Sequence, residues 1–270
     1  MKRWLHPFAV MVAGVTLLTV MLGAWVTSAR TAPSIFIFID QIHSGTGRVA
    51  AVLLVVLAIW LMAAHRRGLG LTLLAAALAE TAFGEFLAPI THSVLAQVLF
   101  ALTMTVAVRT SNGWELGPEI VADQGWPSLR SMAAVTPAFV LAQVTLGVAF
   151  RHKAIGLTWH IVGAMVVALL VLILGMCTMQ PYPKHRALRP AAIALLSVAL
   201  AQVLLGIAAI TAEMLAPDNT TPPSVIISTI GHVAVGAATL AASLILAVQI
   251  RRNVRRSAEE TEENETAASA

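Results

Sequence analysis

Four histidines, His43, His92, His160 and His232, each open a long apolar stretch. Each is followed four residues later by a small residue, Gly47, Ala96, Ala164 or Gly236. Residues four apart lie on one face of a helix, so each imidazole stands beside a gap. An imidazole inside a membrane span is costly unless it has a partner or a ligand. Neutral imidazole suits iron, and axial histidines are common in haem proteins. A flat macrocycle would use the clearance beside each ring. Small residues also let membrane helices pack closely with no cofactor between them, so any single gap has two readings. Taken together, the four histidines point to metal ligation by two pairs at one depth.

Other polar residues stand near this set. Asp40 lies three residues before His43, where it could orient the imidazole or move a proton, or cap the start of a helix. Arg48 could pair with Asp40 or a haem propionate, or extend to the membrane surface. Thr19, Glu80, Gln143 and Gln202 each precede a glycine by four residues, namely Gly23, Gly84, Gly147 and Gly206. Interhelical hydrogen bonding accounts for this polar slot, and Glu80 could also relay protons. His152, between Arg151 and Lys153, could bind propionates or end a helix. His6, His65 and His185 sit among charges and read as solvated side chains.

The elements that hold these residues are apolar. The chain of 270 residues is 58% hydrophobic and 11% charged, and its mean hydropathy is +0.84, whereas soluble domains carry about 25% charged residues. Eight apolar runs are near the roughly 20 residues a spanning helix needs: 8–27, 42–64, 69–88, 90–108, 132–150, 157–179, 191–210 and 225–250. The first is read as a retained helix, since it is long for a signal peptide and has no clear cleavage site. All but Arg30, Arg48, Arg151 and Lys153 of the 17 basic residues fall at one set of alternate helix ends. That bias predicts cytoplasmic N- and C-termini in a multi-pass plasma-membrane protein. The single cysteine, Cys177, reads as a core thiol. The sequence pI near 10.0 reflects basic helix ends facing lipid headgroups, with no nucleic acid required.

Internal similarity sets the organisation. Ala142-Gln-Val-Thr-Leu-Gly-Val-Ala149 recurs as Ala201-Gln-Val-Leu-Leu-Gly-Ile-Ala208. The unit is one helix with polar-xxx-Gly, a turn, and a second helix opening with His-xxx-small. The expected fold is an all-α integral membrane protein of eight transmembrane helices in two pseudo-symmetric four-helix halves. Residues 1–108 form the first half, 109–130 a cytoplasmic linker, 131–252 the second half, and 253–270 a disordered acidic tail.

These stretches resemble the haem A synthase family from Phe8 to Ile250. The resemblance rests on Asp40-Gln-Ile-His-Ser-Gly-Thr-Gly-Arg48, His92-Ser-Val-Leu-Ala96, Gln143-Val-Thr-Leu-Gly147 with Arg151, and Gly231-His-Val-Ala-Val-Gly-Ala237. It implies that His160 and His232 hold a resident haem b in the second half. It also implies that His43 and His92 hold the substrate haem O, whose C8 methyl is oxidised to the formyl group of haem A for terminal oxidases. Asp40 then stands as the catalytic carboxylate, where the family has Glu-x-x-His-Arg and this chain has Asp40 and Ser44. The implied partners are haem O, a haem O synthase and an electron donor of unspecified identity, with homo-oligomerisation left open. The alternative is a non-enzymatic bis-histidine b-type haem protein that transfers electrons or chaperones haem. A transporter with a polar midplane path is a third reading.

Overall fold

The computed structural model describes residues 2–28, 33–83, 89–123, 127–217 and 220–255. The long helices are α1 (Lys2–Ser28), α2 (Pro33–Ala63), α3 (Arg67–Phe83), α4 (Pro89–Arg109), α6 (Leu129–Arg151), α7 (Leu157–Met179), α8 (Leu188–Met214) and α9 (Pro223–Asn253). Between α4 and α6 lie a short α5 (Asn112–Glu115) and β1 (Val121–Ala122), and β2 (Val254–Arg255) follows α9. Seven of the helices are long and apolar enough to cross a membrane; α3, with 17 described residues, is shorter.

The helix bounds extend beyond the apolar runs because polar residues at a run's end can still be helical. This matters most at α2, which starts at Pro33; proline is well suited to the first helical position because its missing N–H would have no partner there anyway. Asp40 therefore sits in the second turn of α2 and is not its N-cap. Two tight turns use left-handed backbone at non-glycine residues: His65 (φ 61°) after α2 and Lys153 (φ 59°) after α6.

Consecutive helices pack side by side, and α1 also meets α4 while α6 meets α9. Contacts of α9 with α1 and α4 join the first helices to the last. One buried cluster is built from α1 to α4 around Leu5, Leu54, Leu57, Leu73 and Leu99. A second, around Phe100, Leu174, Leu195 and Leu246, lies mostly among α6 to α9. Outward faces carry exposed apolar residues such as Val49, Val52 and Ile59 on α2 and Met165, Leu169 and Leu172 on α7. That surface fits a lipid bilayer. Cys177 lies on it, exposed, so the expected core thiol is a peripheral one.

The ends of α2, α4, α7 and α9 share a polar cap with the beginnings of α6 and α8. Arg66 donates to the carbonyl of Arg109 and pairs with Glu115 at 3.4 Å. The Arg252 guanidinium stacks 3.8 Å from the Trp114 ring centre and donates to the Trp114 carbonyl at 2.7 Å. Asp123 accepts from the N–H groups of Leu129 and Arg130, at 3.2 and 3.3 Å, closing the start of α6. β1 and β2 form a parallel two-stranded ladder, and Tyr182 donates to the Ala122 carbonyl.

The described residues of the 109–130 connection tie helix ends together. Expectations change at the C-terminal end and at two histidines. Residues 253–255, assigned from sequence to the acidic tail, belong to that cap: Val254 is fully buried and pairs with Val121. The acidic residues from Glu259 onward lie outside the described residues, as do Arg30 and Gly84. His185 is buried, not solvated: its Nε2 lies 2.9 Å from the Glu119 carbonyl, and its Nδ1 accepts from Ala187 and Leu188 N–H at 3.1 Å. His6 likewise reaches the Ala107 carbonyl at 2.9 Å and links α1 to α4. His65 is exposed, as expected.

Candidate functional site

The four histidines lie on α2, α4, α7 and α9, 17 to 21 residues before the last residues of those helices. At 1.5 Å per residue they stand about 25–32 Å from the polar cap, close to one hydrocarbon thickness. All four therefore occupy one layer at the far end of the bundle.

They meet in two pairs. The ring centres of His43 and His92 are 6.4 Å apart with planes at 80°. Those of His160 and His232 are 6.1 Å apart at 84°. An imidazole nitrogen sits about 2.0 Å from a first-row metal ion and about 1.1 Å from its own ring centre, so two rings binding one ion from opposite sides have centres roughly 6.2 Å apart. Both pairs have this spacing. Two imidazoles are half of a tetrahedral ligand set but a complete axial set for iron in a macrocycle.

Each ring is seated by the helix before it. Gly23, Gly147 and Gly206 lie directly against His43, His160 and His232: a Cβ there would stand 3.0, 2.9 and 3.0 Å from the ring Cε1. The missing Cβ lets the imidazole reach main-chain oxygen. His43 Nδ1 lies 3.1 Å from the Thr19 carbonyl, and His232 Nδ1 lies 3.1 Å from the Gln202 carbonyl. The glycines thus make room for the rings themselves.

The polar slot packs in return on the small residues of the histidine helices. Thr19 touches the site of a Cβ on Gly47, Gln202 that on Gly236, and Gln143 that on Gly163. Gln143 Nε2 donates to the His160 carbonyl at 2.9 Å and lies 3.0 Å from His160 Nδ1. Glu80 Oε1 lies 2.9 Å from His92 Nδ1, close in distance without ideal alignment. Every histidine thus meets the slot residue of its own hairpin, so Glu80 partners His92 and neither glutamine.

For His43 and His232, an Nδ1–H that donates to a carbonyl leaves the Nε2 lone pair for a ligand. Glu80 places a carboxylate oxygen 2.9 Å from the corresponding nitrogen of His92. His232 Nε2 currently lies 3.3 Å from the Gln202 amide nitrogen, which would have to yield to a metal. His160 differs, since its Nδ1 faces an amide donor. The first pair could therefore offer its Nε2 atoms to a metal without displacing a side-chain partner, and the second could do so after its glutamine amides turn.

Asp40 shares the His43 face of α2; among the described residues it makes no hydrogen bond. Arg48 is exposed on α2, away from both ring pairs in helical phase. Ala96 is half-buried against the larger core, and Ala164 is half-buried on α7. His152 forms the C-cap of α6.

One contributor was not singled out from sequence, and Arg151, which was, finds its partners on α1. Phe150 stacks on His160, with centres 6.3 Å apart and planes at 8°; as the last apolar residue of its run it gave no signal of this. Arg151 reaches α1, donating to Thr27 Oγ1 at 2.8 Å, the Ala24 carbonyl at 2.6 Å and Ser28 Oγ at 2.5 Å. Comparison of the chain with protein-family models and with curated proteins gives no match.

Proposed function

We propose that this chain is a membrane haem protein with two bis-histidine sites, His43 with His92 and His160 with His232, acting as a haem A synthase-like oxidoreductase. The observation that carries the proposal is the pairing of all four histidines at 6.4 and 6.1 Å between ring centres. Four equivalent hairpins, each seating its histidine on the preceding helix, support eight spans in two pseudo-symmetric halves. The positive-charge bias supports cytoplasmic termini in the plasma membrane, with the histidine layer towards the outer face.

Bound haem supplies a redox-active iron. The residues of this chain supply its placement: the slot residues and glycines fix the rings, and the apolar helices keep bulk water from them. Following the family resemblance, His160 and His232 retain haem b and His43 and His92 receive haem O as substrate. Asp40, one turn from His43, is the base for the methyl oxidation. The amide in Asp40→Asn preserves size but cannot take up a proton as a carboxylate does. That variant is expected to keep histidine-bound haem and lose haem A formation, while Asp40→Glu retains it.

The alternative of a haem carrier without catalysis draws on one feature, the lack of a hydrogen bond to Asp40 among the described residues. Extraction and chromatography of pigments from cells co-expressing the chain with a haem O supply separates the two. Haem A in the extract supports the synthase reading; haem b and unchanged haem O support the carrier.

A further inference from the structure

The four histidine seats are alike in plan and differ in one chemical respect. The slot residues of the second pair are the neutral amides Gln143 and Gln202, and His43 uses the carbonyl of Thr19. Only His92 has a carboxylate at Nδ1, with Glu80 Oε1 at 2.9 Å. The Glu80 side chain is largely buried in the middle of the bundle's polar slot, and its Oε2 has no hydrogen-bond partner among the described residues. A buried carboxylate left half-satisfied is a costly way to hold a ring when a glutamine side chain serves at the equivalent place beside His160 Nδ1. Interhelical linkage alone therefore does not account for glutamate here.

We infer that Glu80 is a positioning residue that makes His92 a stronger donor than the other three histidines, setting the first metal site at a lower reduction potential than the second. The inference rests on the bis-histidine haem reading. A carboxylate this close to Nδ1 needs only a small turn of the ring to accept its N–H, and in doing so it draws that proton towards itself and leaves more electron density on Nε2. Such partners fix the tautomer and orientation of a ligating histidine and raise its basicity. A stronger donor stabilises the oxidised iron, which lowers its potential; hydrogen bonding to an axial ligand is one of the protein's means of setting haem potential. The two sites then have a built-in difference, and electrons pass preferentially from the first to the second. Thus the asymmetry assigns a direction that the symmetric backbone does not provide.

The test uses the full chain in detergent, titrated with iron protoporphyrin IX, with optical redox titration of the loaded protein. Glu80→Gln copies the slot of the second pair. It should weaken haem binding at the first site by about tenfold, within the range for loss of such a partner, and raise the midpoint potential of that site alone. Gln143→Glu, which puts a carboxylate at His160 Nδ1 in the other half, should lower the potential of the second site. Glu80→Asp, which keeps the carboxylate on a shorter arm, should lie between wild type and Glu80→Gln. His160→Ala/His232→Ala isolates the first site, so each change can be attributed. A wild-type chain that binds no haem would overturn the haem reading itself. Normal loading of two haems with both potentials unmoved by Glu80→Gln and Gln143→Glu would leave that reading standing and overturn the role of Glu80.

Discussion

A missing methyl decides how three of the four histidines are held. At Gly206 a Cβ would come 3.0 Å from His232 Cε1, and the ring would have to shift by a few tenths of an ångström against its contact with the Gln202 carbonyl. Gly206→Ala is expected to cost roughly 1–3 kcal/mol as an overpacked site, read as a lower midpoint of thermal unfolding in detergent, and to perturb the haem spectrum of the second pair. Gly14, beside open space, is the control: Gly14→Ala should leave the spectrum unchanged and slightly raise stability through helix propensity. The histidines, the polar slot and the glycines were all legible in the sequence as types and spacings. Which gap serves which group was not, because periodicity within one helix carries no information about what the neighbouring helix inserts. The clearance expected beside each ring is used by slot side chains, and the glycines of the preceding helix accommodate the rings. His185 shows the same limit: its charged neighbours imply solvent, while its partners are main-chain groups brought from Glu119 and the start of α8.

Between elements, Arg151 does what no apolar contact can. It extends from the end of α6 to three oxygens on the last turn of α1. Ala24, one acceptor, adjoins Gly23 beneath His43; Arg151 itself lies one turn beyond Gly147 beneath His160. The clamp therefore joins the seats of two histidines from different pairs. Arg151→Met should remove charged hydrogen bonds worth roughly 1.5–3 kcal/mol and speed amide exchange over Ala24–Ser28, with Arg151→Lys recovering only part because an ammonium lacks the planar fork. Unchanged exchange in Arg151→Met would show that α1 is held without it. The sequence indicated the helices well, since hydropathy measures what faces lipid. It did not indicate α5 or the β1–β2 ladder, whose two-residue strands are too short to have a period. The start of α2 was hidden because Asp40 and Gln41 interrupt the apolar pattern without interrupting the helix.

At the scale of the molecule, the polar cap and the histidine layer stand at opposite ends of the bundle. Their orientation in the cell follows from the charge bias and is open to direct measurement. On a Cys177→Ser background, Lys153→Cys at the α6–α7 turn should react with an impermeant maleimide in intact cells, and Glu115→Cys in the cap only after permeabilisation. The reverse pattern would invert the assignment. The central claim, that one chain holds two haems on two histidine pairs, is tested most directly by haem per chain in purified protein. Wild type should carry two, His43→Ala/His92→Ala one, His160→Ala/His232→Ala one, and the fourfold variant none. Equal haem content in wild type and the fourfold variant, or none in wild type reconstituted with excess haem, would contradict the account.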